Sequence, residues 1–250
     1  MNPVKAVLFD FDGTISTLRH GWENIMEPLM IELLGEESRE KIKTYIDEST
    51  GIQTIFQMKW LAEQVQQRKG TALDPWEYKA EYNRRLMEMV QDRRTALTNG
   101  TASREDYMMA GSEDLLQALT AMGAKVYVAS GTDDPDVKAE VEALGLSKYF
   151  EKVAGAPLGK ENCSKEQVIR DLLNDGIPGN EMAVVGDGKV EIMVGREGGA
   201  RTLGLASNEA ARQGMDPIKR QRLEKAGADL ILGDFLDKDR LMQFFTGEDK

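Results

Sequence analysis

Five short apolar runs constrain the fold of this 250-residue chain more than any other feature: "VKAVLFD", "AKVYVAS", "EMAVVGD", "ARTLGLA" and "ADLILGD", with Gly, Asp or Ser at or just past their ends. None alternates strictly between apolar and polar residues, so each reads as a strand covered on both faces. The segments between them have helical spacing. In "SEDLLQALTAMG", Ser112 stands where an N-cap belongs, Leu115, Leu116, Leu119 and Met122 form one apolar side, and Gly123 ends the run. "SKEQVIRDLLNDGIP" repeats the design, with Ser164 as cap, Val168, Ile169, Leu172 and Leu173 as the apolar side, and Gly176 as the stop. From about residue 108 to the C-terminus, strand and helix alternate. That alternation predicts an α/β fold in which a parallel sheet, including the first strand, carries helices on both faces.

Between the first and second runs lies a segment too long for one crossover helix and helical throughout. "HGWENIMEPLMIELLG" places Trp22, Ile25, Met26, Leu29, Met30, Leu33 and Leu34 at i, i+3, i+4, i+7 spacing and stops at Gly35, with a distortion expected at Pro28. "DPWEYKAEYNRRLMEMV" opens with Asp74 as N-cap and Pro75 at the first helical position, and carries Trp76, Leu86, Met87 and Val90. The expected division is a core domain of residues 1–17 and 108–250 with a helical domain, 18–107, inserted into it.

With 41% hydrophobic residues the chain can bury a sizeable core. Its net charge of -11 supplies no basic face, so neither a nucleic acid nor a membrane surface is expected as a partner. A small anionic substrate stays open if the site brings its own cation. "MNPVKAVLFD" has no signal-peptide pattern, and no apolar run approaches the roughly 18 residues of a membrane span, so a cytoplasmic location is expected. Cys163 is the single cysteine, which excludes an intrachain disulfide and reads as a reduced thiol; His20 is the single histidine, which excludes histidine-rich metal sites. Nothing in the sequence assigns an oligomeric state.

In an open parallel sheet, ligands bind beyond the carboxyl ends of the strands. Three of the runs end in chemistry there: Asp10, Phe11, Asp12, Gly13 and Thr14 after the first; Ser130, Gly131 and Thr132 after the second; Gly186, Asp187 and Gly188, then Glu191, after the third. One "DG" is ordinary turn chemistry, but an acid pair, a hydroxyl and another acid pair at three strand ends are not. Crowded carboxylates need a cation, and oxygen ligands without histidine or thiolate select Mg²⁺, which most often means phosphate chemistry. Asp10 and Asp12 then divide the work: one nucleophile or metal ligand, one acid/base.

"DFDGT" after an apolar strand, the Ser of "VYVASG", a Lys opening a helix and "VVGDG" with a further acid resemble, in order, the four motifs of the haloacid dehalogenase (HAD) superfamily of phosphohydrolases. The resemblance spans the α/β core, and the helical insertion is similar to that family's type C1 cap. It implies a Rossmann-like core and a covalent mechanism in which Asp10 attacks phosphorus and Asp12 acts as acid and then base. It further implies Mg²⁺ held by Asp10, the Asp12 backbone carbonyl, Asp187 and Glu191, with Glu191 acting directly or through water. Ser130, with Gly131, would bind the phosphoryl group, and a lysine would balance the charge. Lys165, at the start of the helix before "AVVGDG", fits that lysine; Lys160, in "APLGKEN", is the competitor.

In similar capped proteins a cap turn with a Gly helps choose the substrate. Here "DESTGIQTIFQMKW" is that turn, with Ser49, Thr50, Gly51 and Gln53 as polar contacts, while Arg19 and Lys59 are open to a second anionic group. The leading expectation is a Mg²⁺-dependent phosphatase acting on a small phosphomonoester through an aspartyl-phosphate. A phosphosugar mutase is the alternative, disfavoured because Gln53 stands where similar mutases have a basic residue. Dehalogenases lack the second Asp, and phosphonate hydrolysis requires a desolvated cap lysine that nothing marks at Lys43 or Lys59. A non-catalytic binding protein on this fold would have lost a catalytic group, and none is lost.

Overall fold

A computed structural model describes residues 2–161 and 164–247, leaving the Ser164 side chain aside, so Cys163 and the expected Ser164 cap lie outside the described part. Strand β1 (Ala6–Phe9) leads into four helices, α1 (Glu23–Leu34), α2 (Arg39–Glu48), α3 (Thr54–Lys69) and α4 (Pro75–Thr98). The chain continues through α5 (Ser112–Ala121), β2 (Lys125–Asp133), α6 (Asp134–Ala143), β3 (Lys152–Ala156), α7 (Ser164–Asn174), β4 (Met182–Gly186) and α8 (Lys189–Glu197). It ends with β5 (Arg201–Leu205), α9 (Pro217–Ala226), β6 (Leu230–Leu232) and α10 (Lys238–Thr246).

Among the described residues the strands form one six-stranded sheet in the order β3-β2-β1-β4-β5-β6, all pairs parallel. Along β1, Val7 and Phe9 enter the core on one face while Ala6 and Leu8 enter the core on the other. The doubly covered sheet read from the unalternating runs follows from that. From β1 the chain builds outward through β2 to β3, then crosses back to lay β4 on the other side of β1. The order therefore reverses between β1 and β4, and the crevice at that reversal is where an α/β sheet places a ligand.

The inserted helices have a core of their own, in which Met26, Met30, Ile42, Met58, Leu61, Leu86 and Val90 are buried together. Helix α4 starts where the sequence indicates, with Asp74 accepting from Trp76 N at 2.9 Å, Glu77 closing a capping box and Pro75 at the first position. One local expectation is corrected. Ser112 is not an N-cap: Gly111, at φ +81°, precedes the helix because a Cβ there would lie 2.4 Å from Phe235 O, and the Ser112 hydroxyl donates to Met109 O at 2.6 Å. Helix α1 runs unbroken through Pro28. Strand β3, "KVAGA", lies at one edge of the sheet and is built mostly of small residues, so no apolar run marks it in the sequence, unlike β6 at the other edge. No helix among the described residues is long and apolar enough to cross a membrane.

Candidate active site

Asp10 extends β1 by one residue, its N–H donating to Val185 O at 2.8 Å, and the chain then turns. Phe11 O accepts from Ile15 N and Ser16 N, each at 2.9 Å, and Gly13 makes the bend at φ +72°. A Cβ on Gly13 would sit 2.5 Å from Asp187 Oδ2, so the glycine of "DFDGT" is required both by its backbone angle and by the carboxylate against it. The bend sends the two aspartates to different partners. Asp12 Oδ2 accepts from Ser130 Oγ at 3.0 Å and Thr132 Oγ1 at 2.8 Å, both from the irregular end of β2. Asp12 Oδ1 is buried with no hydrogen-bond partner among the described residues, and Arg19 Nε is 3.8 Å away.

Asp10 faces the other way. Lys165, in the first turn of α7, brings Nζ to 3.3 Å from Asp10 Oδ1 and also pairs with Glu191 in the first turn of α8. A Cβ on Gly186 or Gly188 would collide with the Glu191 side chain, so the glycines of "VVGDG" let that acid fold back over the strand end. Asp187 Oδ2 accepts from Lys219 Nζ at 2.6 Å; the same ammonium donates to Glu209 Oε1 at 2.6 Å and Ser207 Oγ at 2.9 Å. Lys219 and Glu209 were not singled out in the sequence. The available signal was "DPIK": Asp216 caps α9, accepting from Ile218 N and Lys219 N, which puts Lys219 at a helix start beside the sheet's carboxyl end.

Burial, then the neighbouring carboxylates Asp187 and Asp12, push Asp10 up to about 7, with Lys165 opposing. Glu191 Oε2 is buried without a hydrogen-bond partner, its other oxygen being on Lys165. Among the described residues no three Asp, Glu, His or Cys side chains converge into a ready-made metal cage. The donors nonetheless fit Mg²⁺: hard carboxylates on Asp10 and Asp187 that repel as anions, and a glycine edge at Gly13 that leaves room beside them. Mg²⁺ commonly takes one or two carboxylates and completes its shell with water and phosphate.

The helical insertion closes the site. Gly51, at φ +90°, gives its carbonyl to Lys165 Nζ at 3.3 Å, and a Cβ on Gly131 would lie 3.2 Å from Ile52 O. The Thr50 hydroxyl donates to Ile46 O at 3.0 Å, and the Gln57 amide to Ser49 Oγ at 3.1 Å, so much of the turn's polarity is used internally. The cavity beneath it is about 430 Å³ and partly open to solvent; Asp10, Asp12, Lys165, Asp187, Thr50 and Gly51 all line it, with Ser130 and Gly131. Lys160 does not: it is exposed in the turn after β3, outside the lining, so the structure brings Lys165 and not Lys160 to Asp10. Lys59 pairs with Glu161 at 2.5 Å outside the cavity, His20 Nδ1 lies 3.7 Å from Glu209, and Asp234 accepts from Gly214 N and Leu236 N as a turn residue.

Known proteins resemble the chain over most of its length. The family model described as haloacid dehalogenase-like hydrolase matches residues 4–199. Phosphoglycolate phosphatase of Escherichia coli (strain K12) is 26% identical over 210 residues, covering 81% of each protein. Among solved structures, a predicted phosphoglycolate phosphatase from Haemophilus somnus gives a TM-score of 0.67 at 16% identity, over 97% of this chain and 100% of that one. The β-phosphoglucomutase of Clostridium difficile gives a TM-score of 0.67 at 15% identity over 98% of both. At those identities the structural likeness speaks for the fold alone.

Proposed function

Because the chain belongs to the haloacid dehalogenase-like hydrolases, we propose that it is a Mg²⁺-dependent phosphatase that hydrolyses a small phosphomonoester through an aspartyl-phosphate. One observation carries this reading: Asp10, beside Lys165, and Asp12, held by Ser130 and Thr132, line one cavity from opposite sides of a single turn. The division of labour follows from their partners.

Asp10, ionised beside Lys165, attacks phosphorus, and the P–O bond to the alcohol breaks as the Asp10–phosphorus bond forms. Asp12 gives its proton to the departing oxygen; its position is fixed by two hydroxyl donors on Oδ2, leaving Oδ1 without a hydrogen-bond partner among the described residues. Asp12 then removes a proton from water, whose oxygen attacks the phosphoryl group and frees Asp10. Lys165 neutralises charge that gathers around the phosphoryl oxygens, and Glu191 and Gly51 O hold the ammonium in place. Bound at Asp10 and Asp187, Mg²⁺ would offset both carboxylates and draw charge from the phosphoryl oxygens. The turn at Thr50 and Gly51 walls the site from above and belongs to substrate selection.

The test is a phosphomonoester panel assayed with and without Mg²⁺ on wild type and Asp10→Asn, with phosphate release as the readout. Mg²⁺-dependent release that Asp10→Asn abolishes supports the reading. Activity that survives Asp10→Asn sinks the covalent route, and movement of phosphate between positions of a sugar without release makes the protein a mutase.

A further inference from the structure

The charges lining the cavity discriminate among alcohols, an inference that rests on the phosphatase reading. Eight carboxylates and five cations line the wall. Four of those cations already hold carboxylates of this chain: Arg19 on Glu140, Lys165 on Glu191, Lys219 on Asp187 and Glu209, and Arg222 on Asp47. The fifth, Lys43, is exposed. A leaving group with a carboxylate of its own would meet an acidic wall and no uncommitted buried cation.

Two unpaired donors on buried residues remain. Arg19 is 9% exposed; its Nε reaches Glu140 Oε1 at 3.1 Å, and its Nη2 reaches the same oxygen at 2.6 Å and lies 3.8 Å from Met87 Sδ. Its Nη1 meets no hydrogen-bond partner among the described residues. Tyr82, 4% exposed, lines the same cavity, and its hydroxyl likewise bonds to none of them. Both stand beside the group that protonates the ester oxygen: Arg19 Nε is 3.8 Å from Asp12 Oδ1, and the charges of Arg19 and Asp12 both act on the Tyr82 hydroxyl. Unpaired donors call for acceptor oxygens, and an ammonium, which carries donors only, offers them none. Because Glu140 shares the guanidinium's charge, Arg19 offers N–H groups more than net positive charge.

We propose that the substrate is the phosphate ester of a neutral, hydroxyl-bearing alcohol, a polyol or a sugar, whose oxygens are read by Arg19 Nη1 and the Tyr82 hydroxyl. Glu140 is a positioning residue that holds Arg19 and offsets its charge.

Glycerol 3-phosphate and glucose 6-phosphate are compared with phosphoglycolate, phosphoethanolamine and p-nitrophenyl phosphate, using the full chain at about pH 8. Wild-type kcat/KM for a hydroxylated ester should exceed that for phosphoglycolate and phosphoethanolamine by about tenfold or more. Tyr82→Phe, a conservative change, should lower the ratio of that kcat/KM to the one for p-nitrophenyl phosphate by about tenfold. Glu140→Gln removes the nearest carboxylate from Arg19, leaving Asp12 and Asp136 each 3.8 Å away, and should move preference toward phosphoglycolate. A wild-type preference for the carboxylate or amine ester, a ratio unmoved by Tyr82→Phe, or a preference unmoved by Glu140→Gln overturns the inference while p-nitrophenyl phosphate is still hydrolysed. Failure to hydrolyse any ester, p-nitrophenyl phosphate included, overturns the phosphatase reading and this inference with it.

Discussion

Lys165 Nζ lies 3.3 Å from Asp10 Oδ1 and 3.3 Å from Gly51 O, so one ammonium touches both the end of the first strand and the turn of the helical insertion. One group therefore both contacts the insertion and balances the charge on Asp10. Lys165→Met should lower kcat/KM by at least about 100-fold, because it removes charge stabilisation in a water-poor site. Lys160→Ala, on the exposed turn, should stay within about twofold. Steady-state kinetics with a thermal melt of each variant separates lost catalysis from lost folding, and equal losses in the two would return the choice of lysine to Lys160.

In the proposed mechanism Asp10 and Asp12 are not interchangeable. Asp10→Asn removes the attacking oxygen and should abolish turnover of every ester. Asp12→Asn removes proton transfer and should cost about 100- to 10,000-fold on alkyl esters. With p-nitrophenyl phosphate, whose leaving group needs no proton, Asp12→Asn should still show a burst of p-nitrophenol as the phosphorylated enzyme accumulates. Stopped-flow absorbance reads that burst, and a burst in Asp10→Asn would contradict the assignment.

Burial, opposed by Arg19, pushes Glu140 up to about 7 from 4.5. The folded protein thus holds this proton more tightly than the unfolded chain does. The stability it confers is complete below about pH 4.5 and is lost as the pH rises through about 7. Glu140→Gln cannot titrate, so from about pH 5 to about pH 8 the wild-type Tm should fall by roughly 5 °C more than that of the variant. Parallel Tm profiles would rule the shift out.

Lys79 on α4 pairs with Asp133 at the end of β2, both buried, and Asn83 Nδ2 donates to Asp133 Oδ2 at 2.9 Å. This joins the insertion to the core away from the reacting groups. Lys79→Met strands a buried carboxylate and should destabilise the protein by about 3 kcal/mol or more, whereas Lys79→Met with Asp133→Asn should recover most of that loss. Urea denaturation of the two variants checks it; equal stabilities would mean that the ion pair contributes little.

The reach of the sequence is uneven for physical reasons. Buried parallel strands are apolar on both faces, so β1, β2, β4 and β5 stand out as runs, and edge strand β6 does as well, whereas edge strand β3, "KVAGA", is built mostly of small residues and does not. Asp10, Asp12 and Asp187 are legible because they follow strands directly, and strand ends in a parallel sheet share one side. Lys219 reaches Asp187 only because α9 starts where it does, and in a chain with 32 Lys and Arg it reads as one more surface charge. Ser130 was legible as a site residue, but its bond to Asp12 depends on the irregular end of β2, which no spacing rule describes. Glu140 lies on α6 with the look of a solvated helical acid and is fully buried against Arg19 from the first hinge.

Directly over the reacting groups the seat between insertion and core uses main chain of the cap turn: the Gly51 carbonyl on Lys165, and the Ile52 carbonyl against the bare backbone of Gly131. Main-chain atoms are the same whatever side chains flank them. The walls of the cavity can therefore be rewritten, residue by residue, without unseating the lid that makes it a cavity. A lineage built this way can change what it consumes faster than it changes how it closes, and directed evolution of new specificities in this protein should begin on Tyr82 and its neighbours while leaving residues 51, 52 and 131 untouched.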